Sequence, residues 1–459
     1  MPTSFAIILA LAGAVAIIVA IRWRRVLLMT LPFLVTLNGV PLGVGKYSIR
    51  ADQFVACLLL MPLLAAAVAG TKRIRLDKTS WILMVLLAIN IMSSALNSPV
   101  PTYSVLQCLN LAATWIIYVV LINYLDNPRE LEEFLRYALC GAIVASIIGI
   151  AAFFLALSGM HVGGAEVSQS AAQDLTTAYG AYGTMVEPNI LGSFSAAYLV
   201  LAVAMLVART REHESLVSDA LLRWVVALTA VSLVITFTRA AWLGAIVGFA
   251  CLLALGDVNL RARFRSGRVA LVVVSVVVVV GALLLLPGNV GTLFRFKVMN
   301  LINPASQTAI VRLFTYVLAF EHIVQHPAIG SGTFSFAALA AQGADFRQFE
   351  NWRHLWIGNH LLLALHDTGV LGLGVWIALL ATIIARPLRL LRTMASRSGE
   401  YAGRVLGLVA AIASLLIAFL STTGFSLGYS WLIVGMLAAY CRVFEIQQGN
   451  STTMETSEP

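Results

Sequence analysis

One charged residue interrupts a long apolar stretch of this sequence. Arg239 is the only charge between Trp224 and Gly256. A continuous helix of this length would measure roughly 50 Å, well beyond a hydrocarbon core of about 30 Å. The stretch therefore predicts two short helices that meet at 236–239, with the guanidinium just below one membrane surface. A charged residue inside a membrane indicates a functional site, and the guanidinium group is a preferred partner for phosphate. The alternative is a structural ion pair with Glu187 or Asp367.

Two further arginines could join Arg239 on one diphosphate. Arg312 lies in a predicted amphipathic helix at 308–325, and Arg353 lies among aromatic residues in the stretch 346–366. Two or three guanidiniums neutralise a diphosphate as it leaves. The competing interpretation makes Arg312 a solvated helix face and Arg353 a side chain that snorkels at the membrane interface, and for Arg353 we favour it.

A short polar motif opens one predicted span. Glu187, Pro188 and Asn189 precede the apolar stretch that ends near residue 208. Proline is common at the first helical position, and Glu or Asn there can serve the helix terminus. The functional alternative makes Glu187 a base or counter-charge beside the arginine-bound ligand, with Asn189 as a second binding residue.

Histidines are frequent in the second half of the chain. His322 and His326 are four residues apart, but no second pair at zinc-ligand spacing follows, so we predict no metal. Imidazole suits proton transfer near neutral pH, and His354 or His360 could accept a proton, with His326 as a binding residue. Position 366 holds a further histidine. The sequence contains no phosphate-binding loop or dinucleotide motif, so we predict no nucleotide and no cofactor.

The composition indicates an integral membrane protein. Of the 459 residues, 60% are hydrophobic and 11% charged, which excludes a soluble globular domain. The net charge of +9 reflects the placement of cations near membrane ends rather than affinity for nucleic acid. The five cysteines form no CxxC motif, so neither a disulfide framework nor a zinc site is expected.

Apolar windows predict about 12–13 transmembrane helices and an all-α polytopic fold. Of the 30 Lys and Arg residues, 22 fall in alternate connections or at the C-terminal end of the last span. The positive-inside rule then places the N-terminus outside and the C-terminus inside. The windows lie at 4–21, 26–44, 52–70, 79–96, 103–125, 134–158, 188–208, 222–237, 240–256, 269–287, 367–385, 405–421 and 427–443.

This topology places Arg239 and the long loop 288–366 on the outer side. We expect a single polytopic domain over 1–443 and a disordered cytoplasmic tail over 444–459. The stretch 346–366 has the composition of an interfacial helix.

Four segments of the chain carry motifs in a fixed order. They are Met185–Gly192, Thr236–Trp242, Arg312 with His326–Gly332, and Asn359 followed nine residues later by Gly369–Gly372. Together they cover about 185–375. These segments resemble the O-antigen ligase and O-antigen polymerase superfamily, and we assign 185–385 as the region similar to that family.

This resemblance implies a lipid-donor glycosyltransferase architecture of the GT-C-like type, with a large periplasmic loop. The donor would be an undecaprenyl-diphosphate-linked glycan, and Arg239 and Arg312 would hold its diphosphate. The acceptor would be a glycan or a lipid. A flippase and a chain-length regulator are the expected partners, in the bacterial inner membrane, without nucleotide or metal.

One position departs from the ligase pattern. Ligases of this family carry a histidine immediately before Asn359, where this chain has Gly358. His360 or His354 could replace it. The departure favours a polymerase or related glycan transferase. The alternative function is that of a secondary transporter or flippase for an anionic solute. Many transporters contain an internal repeat, and the two halves of this sequence show none, which argues against this alternative.

Overall fold

A computed structural model describes residues 18–39, 41–42, 49–158, 160, 165–167, 179–185, 187–209, 215–256, 307–340, 356–394 and 399–455, with isolated positions between 281 and 299. The first helices are α1 (Arg24–Leu34), α2 (Ala51–Val68), α3 (Lys78–Asn97), α4 (Pro101–Tyr124), α5 (Pro128–Leu157), α6 (Pro188–Ala208) and α7 (Asp219–Ile235). They are followed by α8 (Arg239–Leu255), α9 (Gln307–Gln325), α10 (Phe336–Ala340), α11 (His360–Met394), α12 (Gly399–Ala418) and α13 (Gly428–Glu455). Two antiparallel pairs of short strands complete this part, β1 (Pro41–Leu42) with β2 (Ile49–Arg50), and β3 (Ala165–Val167) with β4 (Tyr179–Ala181).

The prediction of an all-α polytopic membrane protein is confirmed. Within the described ranges, eight helices are long and apolar enough to cross a membrane: α2 to α6, α11, α12 and α13. α7 and α8 are shorter, with 17 residues each. The predicted spans 4–21 and 269–287 lie wholly or mostly outside the described residues.

The span predicted at 26–44 is shorter in the structure, because α1 ends at Leu34. Side chains beyond that end bond the last helical carbonyls. Thr36 Oγ1 donates to Phe33 O at 2.7 Å, and Asn38 Nδ2 donates to Val35 O at 2.7 Å. Such local polar bonds satisfy a helix terminus and end the helix there.

The sequence also sets where the other helices begin. Asp77 caps α3 by accepting from Ser80 N at 2.9 Å, and Asn127 caps α5 by accepting from Arg129 N. Proline is the first residue of α4, α5 and α6, where its fixed φ suits the helix and its missing N–H is not needed.

α6 lies at the centre of the bundle. Nearly all of its residues are buried, and it packs against α7, α8 and α12. α12 also packs against α8 and α13. Because α6 is apolar on every face, burial on all sides is the arrangement that its sequence favours.

The two ends of the bundle carry different charged residues. At the end where α6 finishes, Arg209 pairs with Asp219, and Arg404 pairs with Glu132. Glu187 stands at the other end of α6, about 30 Å away along the helix axis. The cations predicted to face the cytoplasm therefore gather at one end, and Glu187 lies at the opposite end. Which end faces the cytoplasm stays a prediction.

Candidate functional site

A tight turn joins the two short helices around Arg239, as the sequence predicts. α7 ends at Ile235, and α8 begins with Arg239. Phe237 adopts a positive φ of 52°, and the indole Nε1 of Trp242 donates to Leu233 O at 2.9 Å. The turn is thereby held from both helices. The exposed guanidinium stands at the N-terminus of α8, where the helix dipole adds to its positive potential.

The start of α6 packs directly on this turn. A Cβ added to Gly192 would lie 3.0 Å from Thr236 Oγ1 and 3.1 Å from Thr238 Cβ. Glu187, immediately before α6, accepts a hydrogen bond of 2.9 Å from Thr422 Oγ1. The motif around Glu187 and the turn before Arg239, about 50 residues apart in sequence, are therefore neighbours at one end of the bundle.

Arg312 contributes a second positive charge to the same end. It lies in the first half of α9, and its positive charge, after burial, disfavours the charge on Arg239. Its Nη2 donates to Ser421 O at 3.4 Å, a long hydrogen bond. Two guanidiniums within electrostatic range repel one another, and an anion between them removes that repulsion.

Gly358 lies beside Arg312. A Cβ added there would lie 3.7 Å from Arg312 Nε and 3.5 Å from Ser421 O, both ordinary contact distances. Tyr316, one turn along α9, donates from its hydroxyl to Gly358 O at 3.4 Å. The position where ligases carry a histidine therefore points toward the Arg312 guanidinium.

We expect Gly358→His to fold normally and to place an imidazole against Arg312. A side chain meets no close atom there, so the thermal midpoint should stay within about 3 °C of the parent value. The pH–rate profile of the protein's reaction should gain an inflection, because the new imidazole titrates. Thermal unfolding in detergent and a pH–rate profile measure both effects.

Gly424→His is the matched control for that substitution. A Cβ at Gly424 clashes with the buried ring of Phe419, so this variant should lose stability. Equal destabilisation of the two variants would contradict the open geometry at position 358.

Asn359 has a structural use in the described chain. Its Oδ1 accepts from Leu361 N at 3.0 Å and from Leu362 N at 3.1 Å. These are the bonds of a helix N-cap, so the side-chain oxygen of Asn359 serves the start of α11. Asn189, in the first turn of α6, is half-buried beside Glu187.

His360 lies inside the bundle. Its ring packs against Trp376 with centroids 4.7 Å apart and against Phe425 at 5.1 Å. It lines a partly open cavity whose walls do not include Arg239, Arg312 or Gly358 among the described residues. His360 is therefore only two residues from Gly358 in sequence, but its ring lies in the interior of the bundle.

His326 lies at the other end of α9 from Arg312. Fourteen residues of helix separate the two, which corresponds to about 21 Å. The structure therefore does not bring His326 together with the arginines.

The turn after His326 locks into a break in α11. Gly369 has φ 64° and ψ −167°, a conformation almost confined to glycine. Val370 N donates to Pro327 O at 2.9 Å, and Ser331 N donates to His366 O at 2.8 Å. The segment from His326 to Gly332 therefore fixes the kink in α11.

Asp367 has partners other than Arg239. Its Oδ1 bonds His366 Nδ1 at 2.8 Å, and its Oδ2 accepts from Phe334 N at 3.0 Å. The alternative ion pair between Arg239 and Asp367 is therefore absent from the described part of the chain. His354 and Arg353 lie outside the described residues, so their predicted roles stay predictions.

One segment of the site was missed by the sequence analysis. Residues 419–427, between α12 and α13, contact Arg312 through Ser421 and Glu187 through Thr422, and Phe419 O accepts from His360 N at 2.9 Å. We call this segment the 419–427 loop. Its only signal was a short polar run, Ser421-Thr422-Thr423, which looks like any connection between two spans.

Comparison with known proteins gives one family. Residues 224–377 match the family model described as O-antigen ligase, and no curated protein matches the chain. The matched segment contains Arg239, Arg312 and Gly358, whereas Glu187 and the 419–427 loop lie outside it. On this match, residues 224–377, about a third of the chain, are similar to the O-antigen ligase family.

Proposed function

We propose that this chain is a membrane glycosyltransferase that polymerises or ligates an undecaprenyl-diphosphate-linked glycan. The reaction would take place at the outer face of the bacterial inner membrane and release undecaprenyl diphosphate. The observation that carries the proposal is the pair of guanidiniums, Arg239 and Arg312, within electrostatic range of each other inside the matched family region. Guanidinium forks match phosphate oxygens in geometry and charge.

In this mechanism the arginines stabilise the leaving group. The acceptor hydroxyl oxygen forms a bond to the anomeric carbon as the bond from that carbon to the diphosphate oxygen breaks. Negative charge grows on the diphosphate, and donors already in place at that point lower the barrier. A sugar diphosphate ester is itself an activated donor, so the proposal requires neither nucleotide nor metal.

Glu187 is our candidate for the group that accepts the hydroxyl proton. Its carboxylate accepts a hydrogen bond from Thr422. The preceding residue, Ser421, accepts a hydrogen bond from Arg312. A carboxylate beside two guanidiniums can take the proton without leaving an unpaired charge after transfer. Gly358 supplies no side chain for this step, so the chain needs a base from another element.

We expect Glu187→Gln to slow glycan transfer by about 10²- to 10⁴-fold, the usual range for loss of a general base. The amide keeps a bond to Thr422 but cannot accept the proton, so binding of the donor should be nearly unchanged. Thr422→Val is the companion variant, because it removes the hydrogen bond from Thr422 but keeps the carboxylate, and should cost much less. A fall in donor binding with an unchanged rate of transfer would contradict the role of Glu187 as base.

The test of the proposal is reconstitution of the purified protein in proteoliposomes with an undecaprenyl-diphosphate-linked repeat unit. We expect longer glycans on gels together with released undecaprenyl diphosphate, and neither product with Arg239→Ala. Lengthening with one lipid-linked unit as both donor and acceptor would identify a polymerase, which Gly358 favours. Uptake of an anionic solute without a new glycosidic bond would overturn the proposal in favour of a transporter.

A further inference from the structure

A partly open cavity lies beside α11. Its volume is about 40 Å³, and its walls come from α3, α4, α11, the 419–427 loop and the residues Thr333 and Phe334. His360 and Asp367, seven residues apart on α11, both line it. A seven-residue step returns to the same face of a helix, so the two side chains share one wall.

Several polar atoms at this cavity have no partner within the described part of the protein. Both ring nitrogens of His360 and the indole Nε1 of Trp115 are buried without a hydrogen bond. Buried polar atoms of native proteins are almost always bonded to protein or to ordered water. A cavity of this volume holds about two or three water molecules and is too small for a sugar ring. Water is therefore the occupant that the volume and the unpartnered atoms require.

A chain of titratable side chains leads away from the cavity. Asp367 Oδ1 bonds His366 Nδ1 at 2.8 Å, and His366 Nε2 lies 3.3 Å from His322 Nδ1. All three side chains are buried. This series of side chains crosses from α11 to α9. His326 follows one turn after His322, immediately after the end of α9.

The atoms of this chain suit stepwise proton transfer. A proton on Asp367 passes to His366 Nδ1 as the Nε2 proton of His366 passes to His322 Nδ1. The Nε2 proton of His322 then passes to solvent water at the end of α9 that is followed by His326. Each step breaks one O–H or N–H bond and forms another. A flip of each imidazole ring, which exchanges the positions of Nδ1 and Nε2, resets the chain.

We propose that the water-filled cavity at His360 and the chain Asp367–His366–His322 form a proton path that carries the acceptor proton out of the site. The inference rests on the function proposed above. The 419–427 loop connects the two regions, since Ser421 and Thr422 contact Arg312 and Glu187 while Thr423, Phe425 and Ser426 line the cavity. His366 and His322 pass the proton on and do not contact the substrate.

The surroundings of His322 favour release of a proton from the path. Besides the three members, the titratable groups that face it are His360 on α11, His326 on α9 and Cys108 on α4. Burial, with the neighbouring His366 and His326, lowers the pKa of His322 to about 4. His322 is therefore neutral at neutral pH and releases a proton readily once it receives one.

The first experiment is a kinetic comparison of His366→Gln with the parent in proteoliposomes. An amide keeps hydrogen bonds but cannot pass a proton on, so we expect kcat to fall about 10- to 100-fold with KM for the donor unchanged. The solvent deuterium isotope effect on kcat should lose its multi-proton character, and the pH–rate profile should shift to higher pH. Glu321→Gln, an exposed carboxylate beside His322, is the matched control.

The second experiment detects the water without any enzyme activity. Radiolytic labelling in ¹⁸O-water should oxidise the buried Trp115 and Trp376, and His360→Phe should reduce that label. An unlabelled, dry cavity overturns the path. So does a His366→Gln variant with the parent pH profile and isotope effect while Arg312→Ala is inactive. If Arg312→Ala also retains full activity, the proposed function fails instead, and the labelling result alone decides whether the cavity holds water.

Discussion

Arg312→Ala is expected to reduce glycan transfer by about 10²- to 10³-fold, the loss measured when one charge-stabilising donor is removed from a transition state. The guanidinium makes one long hydrogen bond to Ser421 O among the described residues, so most of its five donors are left for a ligand. The measurement is the rate of undecaprenyl diphosphate release at saturating acceptor.

The same substitution should leave the fold intact. Arg239 and Arg312 repel one another in the absence of an anion, so removal of one charge relieves repulsion. The thermal midpoint without donor should therefore be equal to or higher than that of the parent. Donor should raise the midpoint of the parent but raise that of Arg312→Ala much less, because a bound ligand stabilises only the folded state that binds it.

Two variants separate geometry from charge in this prediction. Arg312→Lys keeps the charge but loses the planar fork, so its rate should lie between those of the parent and the alanine variant. Arg223→Ala removes an exposed guanidinium at the other end of the bundle, where it pairs with Asp219, and should leave the rate unchanged. Equal losses for Arg312→Ala and Arg223→Ala would indicate a general charge effect and not a diphosphate site.

The spans and the Arg239 turn could be predicted because their signals are local. An apolar stretch too long for one helix, with a single charge in it, allows few arrangements in a bilayer. The bounds of α2 to α8 follow the predicted windows closely for the same reason. Local polar bonds explain one departure, the early end of α1, because Thr36 and Asn38 bond backbone carbonyls there inside an apolar window.

The contacts that assemble the site could not be predicted in this way. Thr422 and Glu187 are 235 residues apart, and no periodicity in either segment indicates the other. The six-residue step between His360 and His366 places the two side chains on different faces of α11, so that His360 lines the cavity while His366 contacts His322 on α9. These pairings depend on how the helices pack, which the sequence pattern leaves open.

Gly369→Ala is expected to destabilise the protein by roughly 3–5 kcal/mol, near the upper range of single substitutions. At φ 64° and ψ −167° a side chain is strained by itself. A Cβ at this position also clashes with the backbone carbonyl group of Ala328, which cannot move freely because Leu371 N donates to Ala328 O at 3.2 Å. Thermal unfolding in detergent measures the loss.

The loss should reach the site as well as the fold. The kink at Gly369 separates a short N-terminal segment of α11, with His360 and Asp367, from the longer C-terminal part of the helix. If alanine straightens the helix, the segment that carries Gly358 moves away from Arg312, and transfer should fall even at temperatures where the protein stays folded. Gly374→Ala, five residues on, is the control, because its Cβ meets no atom within 4 Å. There the helix should gain up to about 1 kcal/mol from the better helix former. A Gly369→Ala variant as stable and active as Gly374→Ala would show that the kink does not position the site.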